Sequence, residues 1–272
     1  MIVFPNCKIN LGLHILKKRA DGFHDLETVF YPVALHDALE IVQNPSRNID
    51  IEFTASGLEI PSPAEQNICV KAYHLIKKDK PELPAVKMHL HKAIPTGAGL
   101  GGGSSNGAFT LILLNKKFNL GLSEDQLLHY ALQLGSDCPF FIKNQPCYAT
   151  GRGEKLEALD INLSDFKIVL VNPRIHVDTG HAFSKILPDN QRNSIKDIIK
   201  TPVDRWKNEL SNDFETTVFK QHPEIKQVKE KMYQHGAVYA SMSGTGSTVY
   251  GLFNIHTQPQ FNFRAYYFIK TL

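Results

Sequence analysis

The alternation of apolar and polar residues predicts a sheet in the first half of the chain. Segments rich in β-branched residues, which favour strands, lie at residues 1–16, 39–42, 49–54 and 86–91. Between them, residues 66–78 carry apolar side chains on one side at helical spacing, namely Ile68, Ala72, Leu75 and Ile76. This stretch is predicted to be an amphipathic helix that packs on the sheet.

Helices are predicted after a glycine-rich run in the middle of the chain. Residues 104–118 are apolar on most sides, and Ser123 with Gln126 forms a capping-box start for a helix that ends near Leu134. Beyond Gly151 the pattern restarts, with a helix after Pro223 and strands at 166–171, 236–241 and 248–253. The restart predicts two domains, 1–150 and 151–272.

Composition and charge narrow the class of protein. A length of 272 residues is where a single core begins to divide into domains, and 42% hydrophobic with 21% charged residues is ordinary for a globular protein. The net charge of +3 comes without a basic block, which argues against nucleic acid as a partner. The first residues resemble neither a signal peptide nor a membrane span, and four cysteines without a CxxC pair fit a reducing compartment. A cytoplasmic protein without a membrane partner is expected, and its oligomeric state stays open.

The run from Pro95 to Ser105 is the strongest chemical signal. It follows a predicted strand, enters a predicted helix, and contains five glycines within residues 97–103, a density that we do not attribute to packing. Glycine permits positive φ and close approach of a ligand to backbone amides, and the helix start favours an anion. A phosphate-binding loop is predicted, although a bare connection is the alternative. The run is not a P-loop, and it fits a dinucleotide fingerprint poorly.

His89 and His91 share one side of a predicted strand, a spacing that can bind a metal. Because no third ligand lies near them in sequence, an ordinary strand with alternating sides is preferred, and no metal site is predicted in the protein.

The run PTGAGLGGGSSNGA (95–108) resembles the ATP loop of the galactokinase, homoserine kinase, mevalonate kinase and phosphomevalonate kinase superfamily. Two further motifs of that superfamily are present, CKINL at 7–11 and MSGTGST at 242–248. The three motifs occur along the chain in the order that they have in the superfamily. Within the superfamily, ADGFH at 20–24 and GSDCPFF at 135–141 are similar to a member that acts on a cytidine diphosphate-linked sugar alcohol in the non-mevalonate route to isoprenoids. The resemblance implies a small-molecule kinase that uses ATP and Mg²⁺.

The resemblance also implies a fold, an α/β (α+β) protein of two domains. The N-terminal domain, 1–150, would bind ATP and contain an unusual left-handed β-α-β crossover. The C-terminal domain, 151–272, would be ferredoxin-like and lie on the substrate side.

Roles for single residues follow from the same resemblance. Asp137 would be the general base, and Lys8 its charged neighbour. ATP would contact Pro95, Gly97, Ala98, Gly99, Leu100, Gly101, Gly102, Gly103, Ser104 and Ser105, with Asn67 and Lys92 beside the nucleoside. Substrate contacts would come from Asn10, Phe23, His24, Thr179, Phe183, Gly244, Thr245 and Gly246, with Phe23 and Phe183 stacked on the cytosine ring.

Each of these residues also has an ordinary structural interpretation. Lys8 can be a solvated strand lysine, Asp137 a helix cap, Phe183 a core side chain, and residues 244–246 a hairpin connection. For the whole chain, the alternatives are another kinase of the superfamily, of the homoserine or mevalonate type, and a nucleotide-binding relative without catalysis.

Overall fold

The computed structural model describes residues 1–45 and 49–272, which form two compact units. Unit one comprises residues 1–7, 34–96 and 101–144, and unit two comprises residues 8–33, 97–100 and 145–272. These units draw on interleaved stretches of chain, whereas the sequence-based boundary at residue 150 is a single cut and stays a prediction.

The strands and helices of the described residues have the following bounds. The strands are β1 (Ile2–Val3), β2 (Asn6–Lys18), β3 (His24–His36), β4 (Ala38–Gln43), β5 (Ile51–Gly57), β6 (Val86–Lys92), β7 (Cys147–Gly151), β8 (Lys155–Ala158), β9 (Phe166–Asn172), β10 (Tyr239–Met242), β11 (Val249–Asn254) and β12 (Phe268–Thr271). The helices are α1 (Ile68–Asp79), α2 (Gly102–Phe118), α3 (Glu124–Leu134), α4 (Cys138–Lys143), α5 (Thr179–Ser184), α6 (Ile195–Ile198), α7 (Val203–Glu209), α8 (Phe214–Gln221) and α9 (Pro223–Gln234).

Unit one is built on a sheet with the strand order β1-β4-β6-β5. Strands β5 and β6 run parallel with α1 between them, so that they form a β-α-β crossover, while β4 pairs with β6 and β1 in antiparallel fashion. Apolar residues of α1, α2 and α3, among them Tyr73, Leu111 and Leu127, share a core with Met88 and Leu90 of β6. The left-handedness of the crossover stays a prediction.

Unit two contains two sheets, with the orders β2-β3-β7-β8 and β10-β11-β9-β12. Every neighbour pair in the second sheet is antiparallel. Numbered from β9, this order is 2-3-1-4, which is the order of a ferredoxin-like sheet, in agreement with the prediction. Within the described structure, the segment 255–267 joins β11 to β12 without the helix that this fold usually has there.

Several predicted elements have different bounds. The strand predicted over 1–16 is divided into β1 and β2 at Pro5, which has no N–H to donate. The helix predicted from 66 begins at Ile68, behind Asn67, whose side chain accepts from the Cys69 amide. The helix predicted from 104 begins at Gly102, inside the glycine run.

Strand β3 does not show the apolar pattern of a strand, because two of its polar residues are buried. Glu27 is 4% exposed and Thr28 is fully buried, which breaks the apolar run expected of an interior strand. Strands β8 and β12 were missed because they are short and largely exposed. All four cysteines are buried as thiols. No helix in the described part of the chain is long and apolar enough to cross a membrane.

Candidate active site

The glycine-rich loop joins β6 to α2. Gly97, Gly99 and Gly101 have φ values of +65°, +78° and +67°, in the left-handed region that favours glycine. Gly101 is the N-cap residue of α2, and it has no side chain that could accept a hydrogen bond from the first amides of the helix. These amides are therefore available to another acceptor. Because the helix dipole adds partial positive charge there, this end of α2 suits a phosphate.

Lys8 is buried beside this loop, within unit two. Its Nζ donates to Asn10 Oδ1 at 2.6 Å and to Gly99 O at 3.2 Å, and it lies 5.0 Å from the centroid of the Phe30 ring. The Lys8 amide donates to Leu100 O at 3.0 Å. With 3% of the residue exposed, Lys8 is not a solvated strand lysine.

The C-terminal turn meets the same carbonyl of the loop. Ser243 Oγ donates to Gly99 O at 2.8 Å and accepts from the Asn10 amide at 3.2 Å. The Thr248 amide donates to Ala98 O at 3.2 Å. Residues of all three motifs thus meet around Gly99 O, and the turn is more than a hairpin connection between β10 and β11.

The backbones of loop and turn approach too closely for a side chain at position 99. A Cβ atom built on Gly99 would lie 2.0 Å from Ser243 O. Asn212 supports the turn from the other side, since its Nδ2 donates to Met242 O at 2.7 Å and to Gly244 O at 2.8 Å. The loop carbonyl is therefore held in place by packing as well as by hydrogen bonds.

Two further turn residues are among those predicted to contact substrate. A Cβ on Gly246, whose φ is +92°, would lie 2.7 Å from Met242 Sδ, so this position also requires glycine. Thr245 Oγ1 lies 3.2 Å from Thr179 Oγ1, which brings these two predicted contacts together on the surface of unit two.

In unit one, Lys92 forms a buried ion pair with Asp37. Its Nζ also donates to Asn106 Oδ1 at 3.0 Å, and Asn106 Nδ2 donates to Asp37 Oδ2 at 2.8 Å. Asp37 Oδ1 accepts from the amides of Ala93 and Ile94 at 2.8 and 2.9 Å, immediately before the glycine loop. Lys92 therefore neutralises the carboxylate that anchors the start of the loop.

A pocket of about 210 Å³ opens beside this ion pair, also within unit one. Its walls include Asn67, Lys92 and Gly103, all predicted to contact ATP. They also include the apolar side chains of Ile60, Ile68 and Leu90. Apolar walls with a few polar groups are typical of a small-ligand pocket.

Asp137 lies at the N-cap position of α4 in unit one. Its backbone angles, φ −85° and ψ −14°, are helical, whereas a capping residue usually has extended angles. The structure therefore does not favour the helix-cap interpretation. The next residue, Cys138, is buried, and burial raises the pKa of its thiol to about 12 despite a hydrogen bond with Ser104.

Ser105 has a buried hydroxyl group without a hydrogen-bond partner among the described residues. An orphaned buried oxygen on the first turns of α2 fits a role toward a phosphate or its Mg²⁺ ion. Within residues 1–45 and 49–272, no group of three or more His, Cys, Asp or Glu side chains could hold a metal ion. His89 and His91 both contact Ser56 Oγ, at 2.9 and 3.0 Å, on the exposed side of β6.

The aromatic residues predicted to contact the cytosine ring lie in unit two. Phe183 stacks on His24, with ring centroids 5.2 Å apart, and packs edge-on against Phe214 at 4.8 Å. Phe23 is 52% exposed, and the guanidinium of Arg152 lies 4.5 Å from the centroid of its ring. Burial, followed by the charge of Lys18, lowers the pKa of His24. A base sandwiched by Phe23 and Phe183 stays a prediction.

Several residues that build these clusters were not predicted from the sequence. Ser243 and Asn106 lie inside motifs that were recognised, but their neighbours in the motifs received the roles. Asp37, Asn212 and Arg152 stand outside every motif, and no pattern of residues marks them.

Comparison with known proteins identifies relatives along nearly the whole chain. Residues 67–145 match the family model described as "GHMP kinases N terminal domain", and residues 194–261 match "GHMP kinases C terminal". The 4-diphosphocytidyl-2-C-methyl-D-erythritol kinase of Bacteroides thetaiotaomicron is 53% identical over 253 residues, 93% of this chain and 92% of the relative. The same kinase of Azobacteroides pseudotrichonymphae is 48% identical over 272 residues, 99% of this chain and 100% of the relative.

Solved structures agree in fold. The crystal structure of a 4-(cytidine 5′-diphospho)-2C-methyl-D-erythritol kinase superimposes with a TM-score of 0.78 at 30% identity, over 93% of this chain and 90% of that one. The mevalonate kinase of Methanococcus jannaschii superimposes with a TM-score of 0.63 at 15% identity, over 94% and 92% of the two chains, and supports the fold alone. The predicted two-domain GHMP-kinase fold of mixed α/β class is confirmed.

Proposed function

We propose that this chain, which belongs to the 4-diphosphocytidyl-2-C-methyl-D-erythritol kinases of the GHMP kinase superfamily, phosphorylates the 2-hydroxyl of that cytidine compound with ATP. This is a step of the non-mevalonate route to isoprenoid precursors. One observation carries the proposal: identity near one half extends over the full length of a relative with that name. The two alternatives, a homoserine or mevalonate type of kinase and a relative without catalysis, lack such support.

ATP use follows from the family, and the structure suggests how the chain holds the nucleotide. The glycine loop and the start of α2 offer backbone amides and partial positive charge to the phosphates. The pocket beside Asn67 and Gly103 accepts the nucleoside, with Lys92 in its wall. Contact of each single loop residue with ATP is part of the proposal.

Phosphoryl transfer requires little covalent chemistry from a protein. It needs mainly a base that accepts the hydroxyl proton and positive charge around the transferred phosphoryl group. We assign the base to Asp137 and the charge to Lys8. The burial of Lys8, with its Nζ held between Asn10 and Gly99, supports a fixed cation and opposes a mobile surface lysine. That these two residues serve one reaction rests on family membership.

We further propose that Mg²⁺ is bound together with ATP. Bound Mg²⁺ would neutralise negative charge on the phosphates and would need few protein ligands. The orphaned hydroxyl of Ser105 fits such a role.

On the substrate side, Phe23 and Phe183 stack on the cytosine ring, and Asn10 and His24 donate or accept hydrogen bonds. Thr179, Gly244, Thr245 and Gly246 lie beside the phosphates or the acceptor.

The test is ATP consumption by the purified protein with Mg²⁺ and 4-diphosphocytidyl-2-C-methyl-D-erythritol, run beside homoserine, mevalonate and galactose. Turnover with the cytidine compound alone is expected. Turnover with another acceptor would keep the kinase and replace the substrate, and turnover with none would favour the relative without catalysis.

The base is tested by Asp137→Asn, with Asp125→Asn on the exposed first turn of α3 as a matched control. A positioned general base contributes about a hundredfold to ten-thousandfold, so a loss of turnover in that range is expected for Asp137→Asn alone. A loss of less than about tenfold, with the fold intact, would remove Asp137 from the role of base.

A further inference from the structure

Arg152 stands on the tight turn between β7 and β8, in unit two. Gly151 has a φ of +72°, and the Arg152 amide donates to Glu154 Oε2 at 2.6 Å. A Cβ atom on Gly151 would lie 2.8 Å from the Glu154 carboxylate, so glycine and carboxylate together fix this turn. The turn presents the Arg152 side chain from a defined backbone position.

Phe23 stands on the hairpin between β2 and β3, also in unit two. The Arg19 amide donates to Phe23 O at 2.8 Å, and the Phe23 amide donates to Asp21 Oδ1 at 3.1 Å. The Arg19 guanidinium in turn holds Asp21 and Asp25. The backbone of Phe23 is thus fixed by the hairpin, but its ring extends toward solvent.

The Arg152 side chain of the β7–β8 turn contacts the Phe23 ring of the β2–β3 hairpin. The Arg152 guanidinium carbon lies 4.5 Å from the centroid of the Phe23 ring, close enough for a cation–π contact. With Arg152 over the ring, Phe23 is still 52% exposed, so a large part of the side chain stays open to solvent. The pKa of the Asp21 carboxyl is lowered, chiefly by its hydrogen bond with Arg19 and in part by the charge of Arg152.

We infer that Arg152 is a positioning residue for substrate specificity: it holds the Phe23 ring so that its open part is presented to the cytosine ring of the substrate. This inference rests on the proposed function. A ring that is already fixed loses less freedom when a base stacks on it, which strengthens binding without a new contact to the ligand. Arg152 acts on the cytidine side through Phe23 and has no part in ATP binding.

The experiment compares wild type with Arg152→Gln and Arg152→Lys in steady-state kinetics and in calorimetric titration with cytidine 5′-diphosphate. Loss of an exposed cation–π contact predicts a rise of about two- to fivefold in the KM for the cytidine substrate and in the Kd for cytidine 5′-diphosphate. The turnover number and the KM for ATP stay unchanged. Arg152→Lys shows a similar rise, because an ammonium group lacks the flat guanidinium face.

Two controls separate this role from others. Arg264→Gln removes an exposed arginine that lies over a different ring, 6.0 Å from the centroid of Tyr266, and is expected to behave as wild type. In a Phe23→Leu background, Arg152→Gln is expected to have no further effect. An equal rise in that background, or full activity of Arg152→Lys, would show that Arg152 attracts the diphosphate by charge and would overturn the inference.

Failure of the proposed function would give results that differ from failure of this inference. If the wild type does not turn over the cytidine compound, the kinase assignment fails, while the titration with cytidine 5′-diphosphate still decides the role of Arg152. Unchanged Kd and KM in both Arg152 variants would overturn the inference and leave the kinase assignment intact.

Discussion

Glu27 offers the sharpest test of how unit two is held together. Its carboxylate is buried in β3 and surrounded by donors. Tyr148 OH and Ser194 Oγ donate to Oε2 at 2.5 and 2.6 Å, the Ile195 amide donates to Oε1 at 3.0 Å, and His14 Nδ1 lies 3.0 Å from Oε1. These contacts join β2, β3, β7 and the start of α6.

The size of the effect follows from the pKa of Glu27. Burial raises this pKa, but the hydrogen bonds with His14, Ser194, Tyr148 and the Ile195 amide lower it by more, from 4.5 to about 2. Since a tenfold change in proton affinity corresponds to about 1.4 kcal/mol, the network favours the ionised carboxylate by roughly 3 kcal/mol. The variant Glu27→Gln, which cannot ionise, should lose roughly that much free energy of unfolding at neutral pH.

The pH dependence has a definite sign. Because the folded pKa is lower than the unfolded one, the stabilisation is complete above about pH 4.5 and declines as the pH falls toward about 2. The difference between wild type and Glu27→Gln should therefore be largest at neutral pH and shrink below pH 4.5.

Urea unfolding followed by fluorescence measures this difference, because Trp206, the single tryptophan, is buried in α7 of the same unit. The control is Glu157→Gln, whose carboxylate is 58% exposed and paired with Lys196. It should change the free energy of unfolding by less than about 1 kcal/mol. Equal stability of Glu27→Gln and wild type, or a difference that is the same at pH 3 and pH 7, would refute the reasoning.

Two further substitutions test the loop and its anchor. Gly99→Ala would place a Cβ 2.0 Å from Ser243 O, so we expect a large loss of turnover. Gly236→Ala, also at positive φ but outside the loop and with no atom within 4 Å of its Cβ, should keep the turnover of wild type and cost only about 1–2 kcal/mol of stability. Similar kinetics for both variants would argue against the close approach. Lys92→Met leaves Asp37 buried and unpaired, so the free energy of unfolding should fall by about 3–5 kcal/mol. In denaturant unfolding, Lys92→Met/Asp37→Asn should recover part of that loss; weaker ATP binding with unchanged stability would contradict this structural role.

Local signals allowed much of the fold to be predicted from the sequence. The capping box at Ser123 and the apolar repeat of α1 have their causes within a few residues, and both helices are present. Strand β3 could not be predicted this way, because the buried Glu27 has a partner 167 residues away, Ser194, and the buried Thr28 depends on its pairing with Gly12 of β2. The same limit applied to Asp37, whose role depends on Lys92 and Asn106.

The glycine loop shows that packing explains part of a glycine-rich run for which packing was excluded. We attributed its glycines to phosphate binding and excluded packing. Yet Gly99 is required because Ser243 O approaches it, and a Cβ on Gly102 would lie 2.8 Å from Ile94 Cγ2. Gly97 and Gly103 have open space at the Cβ position, so contact with the protein does not explain them. The density of glycine therefore has more than one cause: positions 99 and 102 let the chain approach itself, and a role of positions 97 and 103 toward a ligand stays a proposal. A sequence pattern reports the sum of these causes, and only the structure separates them.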